Sequence, residues 1–206
     1  GSWISGWNGV TGQGTINFGF GGGNQPNQDL VDAYEEGDIR EDFTIVRDGD
    51  DYFGAPFDAD QSATAYGQRK YILPAELEPG AGDSPVNFHI MRYADVLMMY
   101  AEALNEINNG PTTAAYDAVN AVRARAELDP LPAGLSQQEF FDALVQERRI
   151  ELVYEAHRTW DIIRWGLGEE ILTPTVGFIP GLHERLPIPQ SELDTNPLMT
   201  QNEGYN

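Results

Sequence analysis

The 206-residue sequence predicts a mainly α fold: one helix hairpin and a further long helical run, set among long irregular loops and a few short strands. Three observations predict it. Residues 91–166 carry apolar residues at three- and four-residue spacing, stopped and restarted by capping signals. Residues 1–90 are instead broken up by Gly, Pro, Asp and Asn, with nine glycines in the first 25 positions. A content of 41% apolar and 11% aromatic residues can fill a core even at a net charge of −21.

The elements follow in chain order. Ser2–Ile4 and Thr15–Phe20 have strand-like composition, although glycine at this density favours loops. Gln28–Glu36 reads as a short helix stopped by Gly37. Residues 48–88 are turn-rich, with a strand expected at 68–73; loops of this length carry function or are ordered by another part of a protein. In Arg92–Asn109, Tyr93, Val96, Leu97, Tyr100, Leu104 and Ile107 recur at helical spacing. Gly110-Pro111 stops that helix, and Thr112 or Thr113 caps a second over 114–127. A link this short makes the two helices an antiparallel hairpin. Ser136 and Glu139 form a capping box, with Leu135 and Phe140 as its hydrophobic staple. Helix is expected from there to about 165, with a break near 156–158, ended by Gly166. Residues 167–206 are Pro- and Gly-rich and end in a polar tail. The chain thus divides into a loop-rich segment, 1–90, holding candidate ligand loops, and a helical module, 91–206.

Charge excludes whole classes of partner. Thirty-three acids face twelve bases, eleven of them Arg and one Lys70, and the excess is spread over both halves of the chain. Such a surface repels phosphate backbones and anionic headgroups, so neither nucleic acid nor an electrostatically held membrane is an expected partner. The scarcity of lysine also fits a protein adapted to high salt, where repulsion is screened. With no cysteine there is no disulfide frame and no thiolate metal site. No apolar run approaches the roughly 20 residues of a membrane helix. The chain opens Gly1-Ser2 without methionine, as expected of a segment of a longer protein whose targeting signal or lipid anchor lies elsewhere.

The reactive residue types form no recognisable constellation. Glu147, Glu151 and Glu155 share a helix face, but no histidine has a Glu three residues before it, so a carboxylate-bridged di-metal site is not expected. The alternating Arg148, Arg149, Arg158 and Arg164 make that face an ion-pair ladder. There is no G-x-S-x-G motif and no phosphate-binding glycine motif. Asp48-Gly49-Asp50-Asp51 lacks the spacing of a calcium loop and reads as a solvated acidic turn. No cofactor and no metal is expected. The informative residues are aromatics in polar loops: Trp3, Trp7, Tyr52, Phe53 and Tyr66. Sugar C–H groups stack on aromatic faces while hydroxyls pair with Asn and Asp, and Trp7-Asn8 supplies both. Trp3, Trp7, Asn8, Tyr52 and Tyr66 are therefore the ligand candidates, with local core packing as the competing role of each aromatic.

Residues 91–166 and 185–205 resemble the C-terminal half of the SusD/RagB family of surface nutrient-binding lipoproteins. The family blocks stand here as Arg92–Ala103 (RYADVLMMYAEA), Asn120–Ala126 (NAVRARA), Glu147–Leu152 (ERRIEL) and Glu155–Gly166 (EAHRTWDIIRWG). The family ending stands as Leu186–Pro189, Glu192-Leu193, Asn196-Pro197 and Gln201–Tyr205. The resemblance implies a SusD-like fold in which the hairpin is the last tetratricopeptide-like unit of a scaffold in a longer protein. It implies a lipid-anchored lid at the cell outer membrane that binds an oligosaccharide and caps a SusC-like TonB-dependent transporter, without being an enzyme. A peptide-binding or mainly structural member of the family is the alternative, and a glycoside hydrolase the remote one. The motif residues Arg92, Tyr93, Asp95, Glu102, Arg123, Arg125, Glu147, Arg148, Arg149, Glu151, Arg158, Asp161, Arg164 and Trp165 carry the resemblance and read as structural. On it, Arg123, Arg148, Arg149 and Arg158 pair with acids to hold helices in register, and Trp160 and Trp165 are core. Ligand contacts lie in loops outside these motifs, so none transfers.

Overall fold

The structure is a computed structural model that describes residues 24–73, 77 and 85–205. It is mainly helical. Two compact units divide between Glu155 and Ala156.

In the first unit, α1 (Gln28–Val31) is capped by Asn27, whose side chain accepts from Leu30 N. The helix expected to reach Glu36 stops after one turn, and the chain continues in tight turns from Asp32 onward. Beyond it Glu35 pairs with Arg123, 88 residues away, and not with a neighbour one helical turn off. A two-residue ladder pairs β1 (Ile45–Val46) antiparallel to β2 (Gly67–Gln68), in the register Ile45–Gln68 and Val46–Gly67. The strand expected over 68–73 is thus shorter, because Tyr71 takes a left-handed φ of 65° and bends the chain off the ladder. Gly67 is required there, since a Cβ would lie 2.5 Å from the Phe57 ring. Val46, Tyr52, Phe57 and Ile72 form a small core around this ladder.

The main core belongs to three helices: α2 (Tyr93–Ile107), α3 (Thr113–Arg125) and α4 (Gln137–Glu151). Thr112, not Thr113, caps α3 by accepting from Ala115 N. Met98, Ala101, Ala115, Val119, Val122, Phe140 and Leu144 interlock between them, all but buried. Two buried polar contacts set the register. Asn105 Nδ2 donates to Gln137 O at 3.0 Å, and Arg148 Nη1 donates to Asp95 Oδ1 at 2.7 Å. The apolar stripe that reads so clearly in α2 is divided by this packing: Tyr93, Val96, Tyr100 and Ile107 are exposed. The face that α3 and α4 cover is instead the one with the small and flexible side chains, Ala101 and Met98, which allow close approach.

The capping box at the start of α4 is present, with Ser136 N donating to Glu139 Oε2 at 2.8 Å and Glu139 N to Ser136 Oγ at 3.2 Å. Ser136→Ala is expected to cost about 1 kcal/mol. A urea midpoint unchanged by the substitution would show that packing alone starts this helix.

Helix does not run on to 165. It ends at Glu151, with Leu152 as its cap, and Tyr154 and Ala156 both take left-handed φ values near 63° (64° and 62°). The expected break near 156–158 is therefore earlier and wider. In the second unit, α5 (Arg158–Arg164) buries Asp161 and Ile162. Trp160 lies on another side and is 56% exposed, which corrects its expected core role. Trp165 is half-buried, with the Arg164 guanidinium 4.5 Å above its ring. The Pro- and Gly-rich remainder holds a π-helical turn (Gly168–Leu172) and two short helices, α6 (Thr173–Val176) and α7 (Gln190–Thr195). Phe178 packs against Gly168, where a Cβ would sit 2.7 Å from its ring.

Candidate functional site

The charged motif residues of the first unit converge. α4 carries Glu147 and Glu151 one turn apart, and Glu155 reaches the same cluster from the turn beyond the helix. Into them run Arg123 and Arg125 from the last turn of α3, Arg92 at the start of α2, and Arg40 and Lys70 from the loops.

Glu147 accepts from Arg40 Nη1 at 2.6 Å and from Arg123 Nη1 at 3.0 Å. Glu151 accepts from Arg40 Nη1 at 2.9 Å and also from Arg92 and Arg125. Glu155 accepts from Arg92 Nε and from the Lys70 ammonium, which also donates to Val153 O at 2.9 Å. Asp38 holds Arg40 from behind at 2.7 Å, and Glu35 holds Arg123 at 2.6 Å. Five bases and five acids balance in this cluster, so the acidic excess of the chain lies outside it.

Electrostatics follows from the packing. Burial alone would raise the pKa of Glu151, but Arg92, Arg40 and Arg125 outweigh it and the carboxyl titrates below its ordinary range. Glu155 behaves alike: burial opposes ionisation, and Arg92 and Lys70 prevail. Lys70 itself is lowered, because taking its ammonium out of water outweighs the attraction of Glu155. The two partners are also held by strained backbone. Tyr71 follows Lys70 and Tyr154 precedes Glu155, both left-handed without being glycine. Such conformations cost about 1–3 kcal/mol each and persist only where the surroundings impose them.

Beside the cluster lies a cavity of about 310 Å³, lined by Ile39, Arg40, Phe43, Thr44, Lys70, His89, Arg92, Arg125, Ile150, Glu151 and Glu155. His89 Nδ1 shares a hydrogen bond of 3.2 Å with the Tyr71 hydroxyl. Phe43 is 72% exposed.

Of the ligand candidates, those among the described residues do not line this cavity. Trp3, Trp7 and Asn8 lie outside the described residues. Tyr52 is fully buried, its ring edge-on to Phe57 at 5.5 Å and its hydroxyl donating to Gln68 O at 3.2 Å. As placed, its ring packs in the loop core and is closed to a ligand. Tyr66 is half-buried and donates to Gln28 Oε1 at 2.6 Å. Neither lines the cavity. Phe43 and His89, which do, carry no sequence signal, since Phe43 looks like any apolar residue in an alternating stretch; Lys70 was marked only by being the sole lysine.

Of the remaining motif residues, Arg149 pairs with Asp29 at 2.5 Å, and Arg164 Nε donates to Asp161 at 2.9 Å. Glu102 and Arg158 are half-buried and Tyr93 is exposed. The acidic turn spends its carboxylates on backbone: Asp48 accepts from Ala59 N, Asp50 from Arg47 N and Asp51 from Gly54 N. Among the described residues no cluster of three or more His, Cys, Asp or Glu could hold a metal ion, and no helix is long and apolar enough to cross a membrane.

A helix hairpin and a third helix, pinned to irregular loops by a charge-balanced ion cluster with a cavity at its edge, define a helical module. The chain belongs to the SusD family, whose model matches residues 3–184. It is 34% identical over 191 residues to a SusD-like protein of Formosa agariphila, covering 87% of this chain and 34% of that one. Its fold matches a SusD homolog from Bacteroides thetaiotaomicron with a TM-score of 0.78 at 29% identity, covering 98% of this chain and 48% of the other. A laminarin-binding SusD-like protein matches with a TM-score of 0.68 at 31% identity, over 96% of this chain and 42% of its own. The chain spans about a third of the length of the curated relatives it matches.

Proposed function

We propose that this chain is part of a glycan-binding subunit of an outer-membrane uptake complex, acting as a lipid-anchored surface lid on a SusC-like TonB-dependent transporter and performing no catalysis. The observation that carries the reading is its membership of the SusD family together with its likeness to a laminarin-binding relative. The ion cluster supports a binding role over a hydrolytic one, because Glu147, Glu151 and Glu155 are each held by two or more bases. Carboxylates so committed, with lowered pKa at Glu151 and Glu155, are unsuited to the general-acid half of glycoside cleavage, which needs a raised pKa. In the longer protein, the exposed α2 face of Tyr93, Val96, Tyr100 and Ile107 would pack against neighbouring helices of the scaffold.

Calorimetric titration with laminarin oligosaccharides and a panel of other glycans tests the reading. Saturable binding is expected with Kd between about 1 μM and 1 mM. It should weaken on Trp3→Ala or Trp7→Ala, and retention by both would move the site elsewhere in the protein. A blank panel with saturable peptide binding would favour the peptide-binding alternative. Release of reducing sugar, abolished by a single carboxylate substitution, would make the protein a glycosidase.

A further inference from the structure

We propose that the cavity beside the ion cluster is a subsite for an acidic sugar, with Phe43 stacking on the pyranose ring and the Arg125 guanidinium pairing with its carboxylate. The proposal rests on the glycan-binding reading and names the chemistry of one subsite within it.

The sign of the exposed charge carries the argument. Glu151 and Glu155 line the cavity, yet their side chains are only 1% and 0% exposed, because Arg and Lys side chains cover them. The cations that cover them remain accessible: Arg125 is 58% exposed, Arg92 26% and Lys70 25%. A ligand entering the cavity therefore meets positive groups, in a protein whose net charge is −21. Arg125 has donors to spare. Among the described residues its hydrogen bonding is confined to Nη2 with Glu151, leaving a planar fork suited to a second carboxylate.

Shape and apolar surface agree with this chemistry. Phe43 is 72% exposed at the cavity wall, an aromatic face that no neighbouring ring occupies among the described residues. A volume of about 310 Å³ is at the small end of ligand sites, which span roughly 300–1,000 Å³, and suits a single sugar ring better than a long chain. Lys70 and Glu155 are tied to each other and flanked by Tyr71 and Tyr154 in left-handed conformations, so the Lys70 ammonium is positioned at the cavity by the packing around it. The overall negative charge does not preclude an anionic ligand, since charges farther away than the Debye length, about 8 Å at physiological salt, are largely screened.

Ligand-observed and protein-observed NMR with methyl β-D-glucuronide and methyl β-D-glucoside tests the assignment on two probes that differ in one carboxylate. The glucuronide is expected to bind at least about tenfold more tightly, as a charge-assisted pair contributes. Arg125→Gln should erase that preference, and Phe43→Ala should weaken both ligands; both positions are exposed, and unchanged thermal melts will confirm that the variants fold. Glucose 6-sulfate is the third arm: if it matches the glucuronide, the site reads anionic charge rather than a planar carboxylate, and the carboxylate assignment falls. Equal affinity for the uronide and the neutral sugar, or a preference that survives Arg125→Gln, would overturn the subsite. Neutral oligosaccharide binding without any uronide preference would do so while leaving the glycan-binding reading intact. Absence of any saccharide binding would remove both.

Discussion

Glu151→Ala is expected to destabilise the protein by about 3–5 kcal/mol, the range for removing one partner from a buried ion pair. Glu151 is 3% exposed and accepts from three guanidinium groups, those of Arg40, Arg92 and Arg125. Without it, Arg125 can turn to solvent, but Arg40 is 8% exposed and cannot. Arg40 retains Asp38 and Glu147, so the loss falls at the lower end of the range if those two compensate. The helices would also lose a link, because Glu151 joins the loop of Arg40, the start of α2 and the end of α3. Thermal and urea melts measure the cost, and a change below about 1 kcal/mol, within the range of exposed pairs, would show that the cluster is solvated in solution. Acid titration provides an independent check. A carboxyl whose folded pKa lies below its unfolded value near 4.3 contributes stability that is complete above that value and is lost as pH falls through the folded pKa. The parent protein is therefore expected to hold its stability down to about pH 5 and lose it on further acidification. The variant, starting less stable, should lose less over the same interval, since Glu151 no longer takes up a proton.

Phe140→Ala is expected to cost a further class of contact, about 3–5 kcal/mol. The ring is fully buried and meets Tyr116 edge-on at 5.1 Å, inside the cluster that joins α2, α3 and α4. It sits at the fourth position of α4, in the cluster against which Leu135 also packs. Truncation leaves a void between three helices that are pinned by Asn105–Gln137 and Arg148–Asp95, so the walls cannot readily collapse into it. For a chain of this length the loss corresponds to a fall in Tm of roughly 10 °C. A fall of only two or three degrees would mean that α4 is not held against the hairpin. Phe140→Leu, which refills much of the volume, should recover most of the difference.

Both residues show what the one-dimensional pattern can disclose. The capping box, the Gly110-Pro111 stop and the 3-4 spacing are signals between residues close in sequence, and they placed α2, α3 and the start of α4 to within a residue or two. The same reasoning overran at the end of α4, because nothing in ERRIELVYEAHR forbids helix. What ends it is the demand of the cluster: Glu155 must reach Lys70 and Arg92, and Tyr154 turns left-handed beside it. Likewise Gln28–Glu36 has helical composition, but Glu35 is drawn to Arg123, 88 residues away.

The ligand candidates show the limit for sites. Tyr52 and Tyr66 look alike in the sequence, both aromatics in polar loops. One packs in the core around β1 and β2, and the other donates to Gln28. Burial depends on what the loop folds against, and local composition does not carry that information. Phe43 is the converse, an apolar residue beside Thr44, Ile45 and Val46, which are buried while it is not.

The sequence by itself determined that the protein is mainly helical and that it resembles the SusD family, because these rest on composition, short-range periodicity and ordered motif blocks. Only the tertiary structure decided that Arg40 and Lys70 from the loops join the motif residues in a ten-residue ion cluster, and that Arg92, Arg125 and Lys70 face an open cavity while Glu151 and Glu155 beside them are covered. The physical reason is range. Helix signals act over three or four residues, whereas the pairing of Arg40 with Glu147 spans 107, and which charge ends up exposed is settled only when both have been packed.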